Sequence, residues 1–571
     1  MRPADFHIEG TKSEAIEVAR NRLLVPIFLF VLGFSALVVR LVSIGLFEDI
    51  SDQVIHAYSA KVEIVRERVD ILDRNGIVMA TNLPAPSLAV RPRLITDVQE
   101  TADGIMAVLP GLNRAQVVNK LKSSRHFLYI RRNLSPIQVW KINALGYPGL
   151  VLEQAEKRVY PQGRLASHVL GYVDVDNKPQ AGVEKFFNDH LSNPMRSDDP
   201  LYLSLDLRVQ YIVRQELKAA MDKFSARAAA GIVMDVRTGE ILSMISLPDF
   251  DGNNSIYPDT PEMKNRNILE PYEMGSGFKT FTVAMALDSG MVRLTDKFDA
   301  TRPLKVGRRT IHDDHAKKRF LTVPEVYTFS SNIGASLIIQ QVGIDYQKAY
   351  LERFGMFDRP VIELAGRSRP ILPRHWGAIQ SMTVSYGHGI AVTPLHLVVG
   401  IAAVVNGGRL IPATLIRQDK TDKNKLYGLP RSFVDDDYPQ VISAETSRIM
   451  RHLMRLAVDY GSGGNARVDG YRVGGKTGTA EKVINGRYSR DNKITSFVGV
   501  FPMDNPKYVI FAMLDEPHGT EDTFYKATGG WIAAPVVGRI ISRIGPMLGV
   551  VPMTDVKTKY QNLLLVNAKS N

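Results

Sequence analysis

Hydrophobic positions along the chain follow three patterns, and the first is a nearly continuous run close to the amino terminus. No charged residue occurs between positions 23 and 39, and the apolar run resumes at positions 41–47 after Arg40. About 25 apolar residues are enough for a helix that crosses a bilayer. The pattern therefore predicts a transmembrane anchor at 23–47, with the Arg40 side chain reaching towards the membrane surface.

The charges on either side of this run predict its orientation. Basic residues precede it and acidic residues follow it: Arg2, Lys12, Arg20 and Arg22 on one side, Glu48, Asp49 and Asp52 on the other. Because positive charge stays on the cytoplasmic side, we expect a cytoplasmic tail at 1–22 and a periplasmic or otherwise extracytoplasmic location for the rest. A cleaved signal peptide is the alternative, but no small-residue cleavage site follows the apolar core at a suitable position.

Short alternating segments and tight turns characterise the second pattern, at residues 48–200. Hydrophobic residues alternate before Asn75-Gly76 and form a short run after it, and this dipeptide is a strong signal for a hairpin turn. Farther along, Asn113 and Ser135-Pro136 are placed to begin two helices. No paired nucleophile and base occurs in this part of the sequence. We therefore expect a non-catalytic pedestal or dimerisation-type domain of mixed strands and helices.

Longer strands and helices form the third pattern, from residue 201 onwards. A helix is expected over 207–223, with one hairpin soon after it and a second near the end of the region. The strands of these hairpins are expected at 230–235, 240–246, 495–502 and 507–514. Strands at both ends with helices inserted between them predict an antiparallel sheet flanked by helices, an α+β fold. We assign 201–548 to this domain and the polar residues 549–571 to a C-terminal tail.

Composition narrows the classes of function. The chain has 571 residues, enough for two or three domains, and it has no cysteine, which excludes disulfides, thiolate metal sites and cysteine catalysis. The formal net charge is +12, but no dense Lys/Arg block with interleaved aromatic residues is present. We therefore expect no nucleic-acid partner, and the positive charge suits a surface near anionic lipid.

Candidate chemistry begins with Ser276 and Lys279, which open an apolar run of helical period. On a helix these two side chains share one face. The positive end of the helix dipole favours negative charge on the serine oxygen, and burial beside Phe278 and Phe281 is expected to lower the pKa of the lysine and make it a base. Ser276 is therefore a candidate nucleophile. Taken alone, the pair more often marks only the start of a helix, so partners are needed.

A second motif supplies two such partners, Ser330 and Asn332. The Ser330 hydroxyl is suited to pass a proton to a leaving amine, and the Asn332 amide is suited to orient Lys279 and to contact a substrate amide. The alternative is a simple helix cap, since serine and asparagine are common at helix starts.

A glycine-rich strand carries the third motif, Lys476-Thr477-Gly478-Thr479. A strand this rich in glycine indicates that another backbone approaches closely, and a peptide substrate adding as an extra strand would do so. Lys476 and the two threonine hydroxyls suit a carboxylate ligand. The backbone amides of Ser276 and Thr479 are candidates for an oxyanion hole.

The three motifs occur in the order S-x-x-K, S-x-N, K-T-G that is typical of β-lactamases and penicillin-binding proteins. From the anchor to about residue 545, the chain resembles a class B penicillin-binding protein. The block from Arg68 to Gly76 is similar to the family's R-G-x-I-x-D-R-N-G, and two further blocks, Arg158 to Gly163 and Gly182 to Glu184, resemble other pedestal motifs. Departures from the family pattern fall at packing positions: Val69, Met274 and His396 stand where Gly, Pro and Gln are usual.

This resemblance implies a serine D-Ala-D-Ala transpeptidase with a serine β-lactamase-like catalytic domain and no cofactor or metal. Ser276 would form an acyl-enzyme with a peptidoglycan stem peptide, and β-lactams would trap the same serine. The short tail, the compact pedestal and the sequence from Lys476 to Pro502 are closer to the septal, division-specific type than to the elongation type.

The same resemblance implies partners and leaves alternatives open. The expected partners are the membrane, a lipid II-polymerising glycosyltransferase of the FtsW type and other division proteins. An elongation-type transpeptidase, a DD-carboxypeptidase, a β-lactamase and a catalytically silent division scaffold are the alternatives. The one metal-like cluster, His312-Asp313-Asp314-His315, is expected to be a loop of surface polar groups.

Overall fold

The computed structural model describes residues 22, 26–40, 42–43, 68–196, 198–254, 260–307, 309–418, 438–484 and 486–553. The chain divides into two units, Met1–Val65 and Arg66–Asn571. In the first unit, residues 26–40 and 42–43 are helical. The other positions of the predicted anchor lie outside the described residues, as do most of the predicted cytoplasmic tail and the end of the C-terminal tail. Over the described ranges, no helix is long and apolar enough to cross a membrane.

Two small sheets form the framework of the pedestal region. Its strands are β1 (Ile71–Leu72), β2 (Val78–Pro84), β3 (Ser87–Val90), β4 (Leu128–Arg131), β5 (Leu150–Glu153), β6 (Glu156–Val159) and β7 (Leu201–Tyr202). They form sheets of order β6-β2-β1-β7 and β4-β3-β5. The predicted hairpin joins β1 to the antiparallel β2, and Gly76 at its turn has a φ of +84°, a conformation that favours glycine.

Six short helices occur in the described part of this region: α1 (Val98–Val108), α2 (Arg114–Leu121), α3 (Pro136–Leu145), α4 (Ser167–Leu170), α5 (Gly182–Phe186) and α6 (Asn188–Leu191). The two predicted helix starts are confirmed. The Asn113 side chain accepts from the backbone of α2, and Ser135 forms a capping box with Gln138 at the start of α3. Helices α1 to α3 share a separate hydrophobic core with the β4-β3-β5 sheet.

A buried ion network joins distant parts of the pedestal. The Glu184 carboxylate, on α5, accepts from Arg68 Nε at 3.0 Å and from Arg158 Nε, on β6, at 2.7 Å. Both ion pairs are almost completely removed from water, with side chains no more than 3% exposed. Because buried charges are costly unless they are paired, each of these three groups depends on the others.

A five-stranded antiparallel sheet is the centre of the second region. Its strands are β8 (Ala228–Asp235), β9 (Ile241–Leu247), β14 (Gly474–Ile484), β15 (Arg487–Phe501) and β16 (Tyr508–Asp515). Their order in the sheet is β14-β15-β16-β8-β9. Two ribbons lie apart from it: β10 (Lys297–Asp299) with β13 (Phe320–Thr322), and β11 (Leu304–Val306) with β12 (Arg309–Ile311).

The predicted antiparallel sheet is confirmed, with two strands longer than expected: β8 begins at Ala228 and not at residue 230, and β15 is extended further. Strand β15 begins at Arg487 and not near residue 495, because the charged segment before residue 495 also pairs with the end of β14. The strand ends at Phe501, one residue earlier than predicted, because Pro502 has no N–H to donate to a neighbouring strand.

Helices cover both faces of this sheet. They are α7 (Leu207–Lys223), α8 (Arg266–Leu269), α9 (Lys279–Asp288), α10 (Val323–Thr328), α11 (Asn332–Val342), α12 (Ile344–Arg353), α13 (Ala378–Ser385), α14 (Pro394–Val405), α15 (Ala444–Asp459) and α16 (Ala533–Met547). Alternate residues of β16 point to opposite faces. Ile510 packs in the core that contains α7 and α16, whereas Phe511 packs in the larger core that contains α9 and α14. Helix α9 is therefore enclosed between the sheet and the other helices.

Candidate active site

Ser276 lies in a tight turn immediately before α9. Residues Gly275–Phe278 form a 3-10 turn, and the α-helix begins at Lys279. Gly275 has a φ of +54°, and a Cβ on it would lie 2.4 Å from the carbonyl oxygen of Thr479. A side chain at this position is therefore excluded by both conformation and space. The turn brings the backbone before Ser276 against Thr479, whose amide was predicted to share an oxyanion hole with the Ser276 amide.

Lys279 is the centre of the hydrogen-bond network around Ser276. Its Nζ lies 3.0 Å from Ser276 Oγ and 2.7 Å from Asn332 Oδ1. It also lies 2.6 Å from the Ser330 carbonyl oxygen and 3.1 Å from Ser330 Oγ. The structure thus brings together, around one amine, the predicted nucleophile and both predicted residues of the second motif.

Burial controls the charge of Lys279. The side chain is fully buried, and desolvation lowers its pKa from 10.5 to about 7, although the charges of Asp313 and Asp314 act in the opposite direction. A large fraction of Lys279 is consequently neutral near pH 7. A neutral amine 3.0 Å from a serine hydroxyl is in position to accept its proton.

Ser330 lies between two lysines. Its Oγ is 3.1 Å from Lys279 Nζ and 2.9 Å from Lys476 Nζ. Its backbone has a φ of +59°, in the left-handed region that residues other than glycine rarely adopt. Burial, together with the positive charge of Lys279, holds the pKa of Lys476 well below its ordinary value. A ligand carboxylate would favour the charged form of Lys476, so ligand binding and protonation are coupled here.

The third motif lies on β14, an edge strand of the five-stranded sheet. Thr477 Oγ1 is 2.7 Å from Ser462 Oγ, and Thr479 Oγ1 accepts from the Gly529 amide at 3.0 Å. A Cβ on Gly478 would lie 2.6 Å from the Met274 carbonyl oxygen, so glycine is required for the serine turn to approach this strand. An edge strand keeps hydrogen-bonding groups available for an added peptide strand.

Asp313 is a residue whose role the sequence did not reveal. Its carboxylate accepts from Ser331 Oγ at 2.7 Å and from the Asn332 and Ile333 amides at 2.6 and 3.0 Å. It therefore fixes the start of α11, the helix that carries Asn332. The cluster lies in a loop with His312, Asp314 and His315 exposed, as expected, but the partly buried Asp313 also holds part of the site. No group of His, Asp or Glu side chains suited to a metal occurs in the described part of the chain.

Asn332 differs in one respect from its predicted use. Its Oδ1 faces Lys279 as expected, but its Nδ2 donates to the His312 carbonyl oxygen at 2.9 Å. One face of the amide is thus committed to positioning within the protein. Orienting Lys279 is the part of its predicted role that the geometry supports best.

Two family models match the chain. The Penicillin binding protein transpeptidase domain matches residues 229–542, and the Penicillin-binding Protein dimerisation domain matches residues 63–193. The first covers more than half of the chain and includes all three motifs.

Relatives and solved structures agree with these matches. The chain is 38% identical over 501 residues to the "Probable peptidoglycan D,D-transpeptidase FtsI" of Caulobacter vibrioides, covering 86% of this chain and 83% of the relative. It is 33% identical to "Stage V sporulation protein D" of Bacillus subtilis, covering 95% and 88%.

Among solved structures, penicillin-binding protein 3 of Mycobacterium tuberculosis, complexed with aztreonam, has a TM-score of 0.66 at 24% identity. That comparison covers 86% of this chain and 97% of the other, and it shows the fold. The transpeptidase domain of penicillin-binding protein 3 from Burkholderia pseudomallei has a TM-score of 0.54 at 32% identity, covering 63% and 99%. The chain therefore belongs to the class B penicillin-binding proteins, and its relatives place it with the FtsI-type peptidoglycan D,D-transpeptidases.

Proposed function

We propose that this protein crosslinks septal peptidoglycan during cell division, through an acyl-enzyme on Ser276, and that β-lactams inhibit it at the same serine. The observation that carries the proposal is the 3.0 Å contact between Ser276 Oγ and Lys279 Nζ, a fully buried amine with a pKa of about 7. A charged lysine in the same place would be unable to accept the serine proton.

Acylation uses all three motifs. Lys279 takes the proton of Ser276, whose oxygen attacks the carbonyl carbon of the penultimate D-Ala of a donor stem peptide. The backbone amides of Ser276 and Thr479 stabilise the oxyanion. The proton returns through Ser330 to the nitrogen of the departing D-Ala, whose carboxylate is held by Lys476 and Thr477.

Deacylation completes the crosslink. An amine of a second stem peptide attacks the acyl carbonyl carbon and gives one proton to Lys279. An amide bond forms, the bond from that carbon to Ser276 Oγ breaks, and the proton passes from Lys279 to Ser276 Oγ. Water in place of the amine would make the enzyme a carboxypeptidase.

Two further residues have positioning roles that their contacts support. Asn332 orients Lys279, and Gly478 lets the serine turn approach β14.

Acylation is expected to depend on pH through Lys279. Because the pKa in the folded protein is lowered from 10.5 to about 7, the neutral base is scarce below pH 7 and predominates above it. The rate of acylation by a labelled penicillin should therefore rise about tenfold per pH unit below 7 and level off above it. Stopped-flow labelling between pH 5 and 9 measures this profile. A rate that keeps rising up to pH 10 would contradict the lowered pKa and would show that the base is not a neutral Lys279 at pH 7.

The domain and membrane assignments belong to the same proposal. We place a cytoplasmic tail at 1–22, a single-pass anchor at 23–47, a non-catalytic pedestal at 48–200, the catalytic domain at 201–548 and a tail at 549–571. The protein would lie in the cytoplasmic (inner) membrane with its catalytic domain outside. The uncharged run at 23–39 with basic residues before it supports this topology.

A lipid II-polymerising glycosyltransferase of the FtsW type is the proposed partner, because the resemblance to class B penicillin-binding proteins implies that a separate enzyme makes the glycan. The anchor and pedestal would contact it. The test is co-purification from membranes, followed by a crosslinking assay on the glycan that the complex makes. A chain whose anchor is replaced by an unrelated transmembrane helix should lose co-purification and septal function. Unchanged co-purification would exclude the anchor as the contact.

A further inference from the structure

A cavity of about 500 Å³ lies between the last turns of α7, the first turns of α16 and the loop that joins β16 to α16. None of the residues of the three motifs lines it. We call it the Trp531 cavity. Its lining includes Glu216, Lys223, Asn465, Asp522, Trp531 and Arg539.

The loop that closes this cavity also contacts the third motif. The Gly529 amide donates to Thr479 Oγ1 at 3.0 Å, and a Cβ on Gly529 would lie 2.4 Å from the Gly478 carbonyl oxygen. The carbonyl oxygen of the next residue, Gly530, accepts from Nδ2 of Asn465, a lining residue, at 2.9 Å. One short segment therefore borders the cavity on one side and, on the other, the strand that would receive the donor peptide.

The charged side chains of the lining balance one another. Lys223 Nζ lies 2.7 Å from Asp522, and Arg539 Nε lies 2.7 Å from Glu216. A charged ligand would therefore find no excess of the opposite charge. Carboxylates accept several hydrogen bonds and ammonium groups donate three, so these pairs can still bind hydroxyl groups. The lining suits a ligand that is polar and uncharged.

One wall of the cavity is an indole ring. Trp531 is half-buried, and the Phe524 ring packs edge-to-face against it at a centroid distance of 5.6 Å. The Trp531 indole N–H and Asn465 Oδ1 form no hydrogen bond with any described part of the chain. A sugar ring has a face of C–H groups that packs on an indole. It also has a rim of hydroxyl and amide groups that would use this donor and this acceptor.

The backbone of Phe524 is in an unusual conformation for an aromatic residue. Its φ is +51°, in the left-handed region, and its side chain is 69% exposed, so burial of the ring does little to offset the strain. Asparagine would fit this conformation better. The fold of the loop thus does not require an aromatic residue here, whereas the Trp531 indole has this ring as its neighbour.

We propose that the Trp531 cavity binds the glycan of peptidoglycan, at an N-acetylated amino sugar of the strand that carries the donor stem peptide. Trp531 packs against a face of the sugar ring, and its N–H and Asn465 bind hydroxyl or N-acetyl groups. Lys223 and Asp522 contact further hydroxyls at the mouth. The inference rests on the proposed function and adds a second part of the substrate. A stem of five residues spans at most about 17 Å, so one domain would hold both ends of it.

The test compares ligands that differ in the sugar. Full-length protein in a sugar-free detergent is titrated calorimetrically with a stem pentapeptide and with the same peptide on its disaccharide of N-acetylglucosamine and N-acetylmuramic acid. The disaccharide should strengthen binding at least about tenfold, the gain expected from one or two net hydrogen bonds. Chitotetraose, a tetramer of N-acetylglucosamine without peptide, should bind as well and quench part of the tryptophan fluorescence.

Two variants locate the sugar. Trp531→Leu removes the indole, and Phe524→Asn removes the neighbouring ring at a position where asparagine suits the backbone, so this second variant should fold. Each should reduce the gain from the disaccharide to less than about threefold. The control Trp140→Leu removes an indole that is 70% exposed on the pedestal and should keep the full gain.

Thermal unfolding shows whether each variant is folded, and Phe524→Asn alone decides if Trp531→Leu is not. A wild type without the gain, or a folded variant of either kind that keeps it, would mean that the cavity does not bind the glycan. Penicillin labelling of the wild type reports the proposed function separately. Absence of a Ser276 adduct would refute that function, whereas normal labelling without a gain from the disaccharide would refute only the role of the cavity.

Discussion

Replacing Lys279 by alanine is expected to slow the acylation of Ser276 by a labelled penicillin by about a thousandfold, the middle of the range that a positioned base contributes. Lys279 is the one amine within hydrogen-bond distance of Ser276 Oγ in the described residues, at 3.0 Å. Without it, the serine proton has no nearby acceptor. The rate constant of adduct formation, measured by stopped flow at pH 8, gives the effect.

Two further variants separate the base from the charge. Lys279→Arg keeps a positive charge, but the guanidinium stays protonated, so this variant should be nearly as slow as Lys279→Ala. Lys305→Ala removes an exposed lysine outside the site and should label at the wild-type rate. A fast Lys279→Arg variant would contradict the role of Lys279 as a base and would leave it only an electrostatic role.

The second large effect is expected in the pedestal. Glu184→Gln should lower the free energy of unfolding by about 3–5 kcal/mol, the range measured when one partner of a buried ion pair is removed. The change leaves the Arg68 and Arg158 guanidinium groups buried without their shared carboxylate. The midpoint and slope of urea unfolding, followed by tryptophan fluorescence in detergent, provide the measurement.

An exposed ion pair in the same region is the matched control for this variant. Asp103 contacts Arg114 at 2.7 Å, but the two side chains are 63% and 49% exposed. Asp103→Asn should therefore cost less than about 1 kcal/mol. A Glu184→Gln variant as stable as Asp103→Asn would mean that water reaches the network and that the pedestal is held together in another way.

Local features of the site could be predicted from the sequence. Ser276 and Lys279 are three positions apart, so a helical segment places them on one face. Their contact is therefore local and does not depend on how distant segments pack. The prediction that burial lowers the pKa of Lys279 is also confirmed. This prediction was possible because the apolar run around Lys279 indicates an enclosed helix. The antiparallel sheet was also predictable, since its strands are short, mostly apolar runs and the turns between them carry their usual residues.

Contacts between distant segments could not be predicted from spacing. Ser330 reaches Lys476 across 146 positions of sequence, and only the resemblance to a known family placed the two together. The left-handed conformation of Ser330 has no signal in the sequence, because the residue type ordinarily avoids it. Asp313 escaped notice because its three contacts with the start of α11 depend on how a separate loop folds back.

The central claim is that Ser276 is the acylated nucleophile, and the most direct measurement is labelling of the full-length protein with fluorescent penicillin, followed by mass spectrometry of the labelled peptide. The wild type and a Ser192→Ala control, which changes an exposed serine of the pedestal, should carry one adduct on the peptide that contains Ser276. Ser276→Ala should carry none. Equal labelling of Ser276→Ala and the wild type, or an adduct on another peptide, would contradict the account.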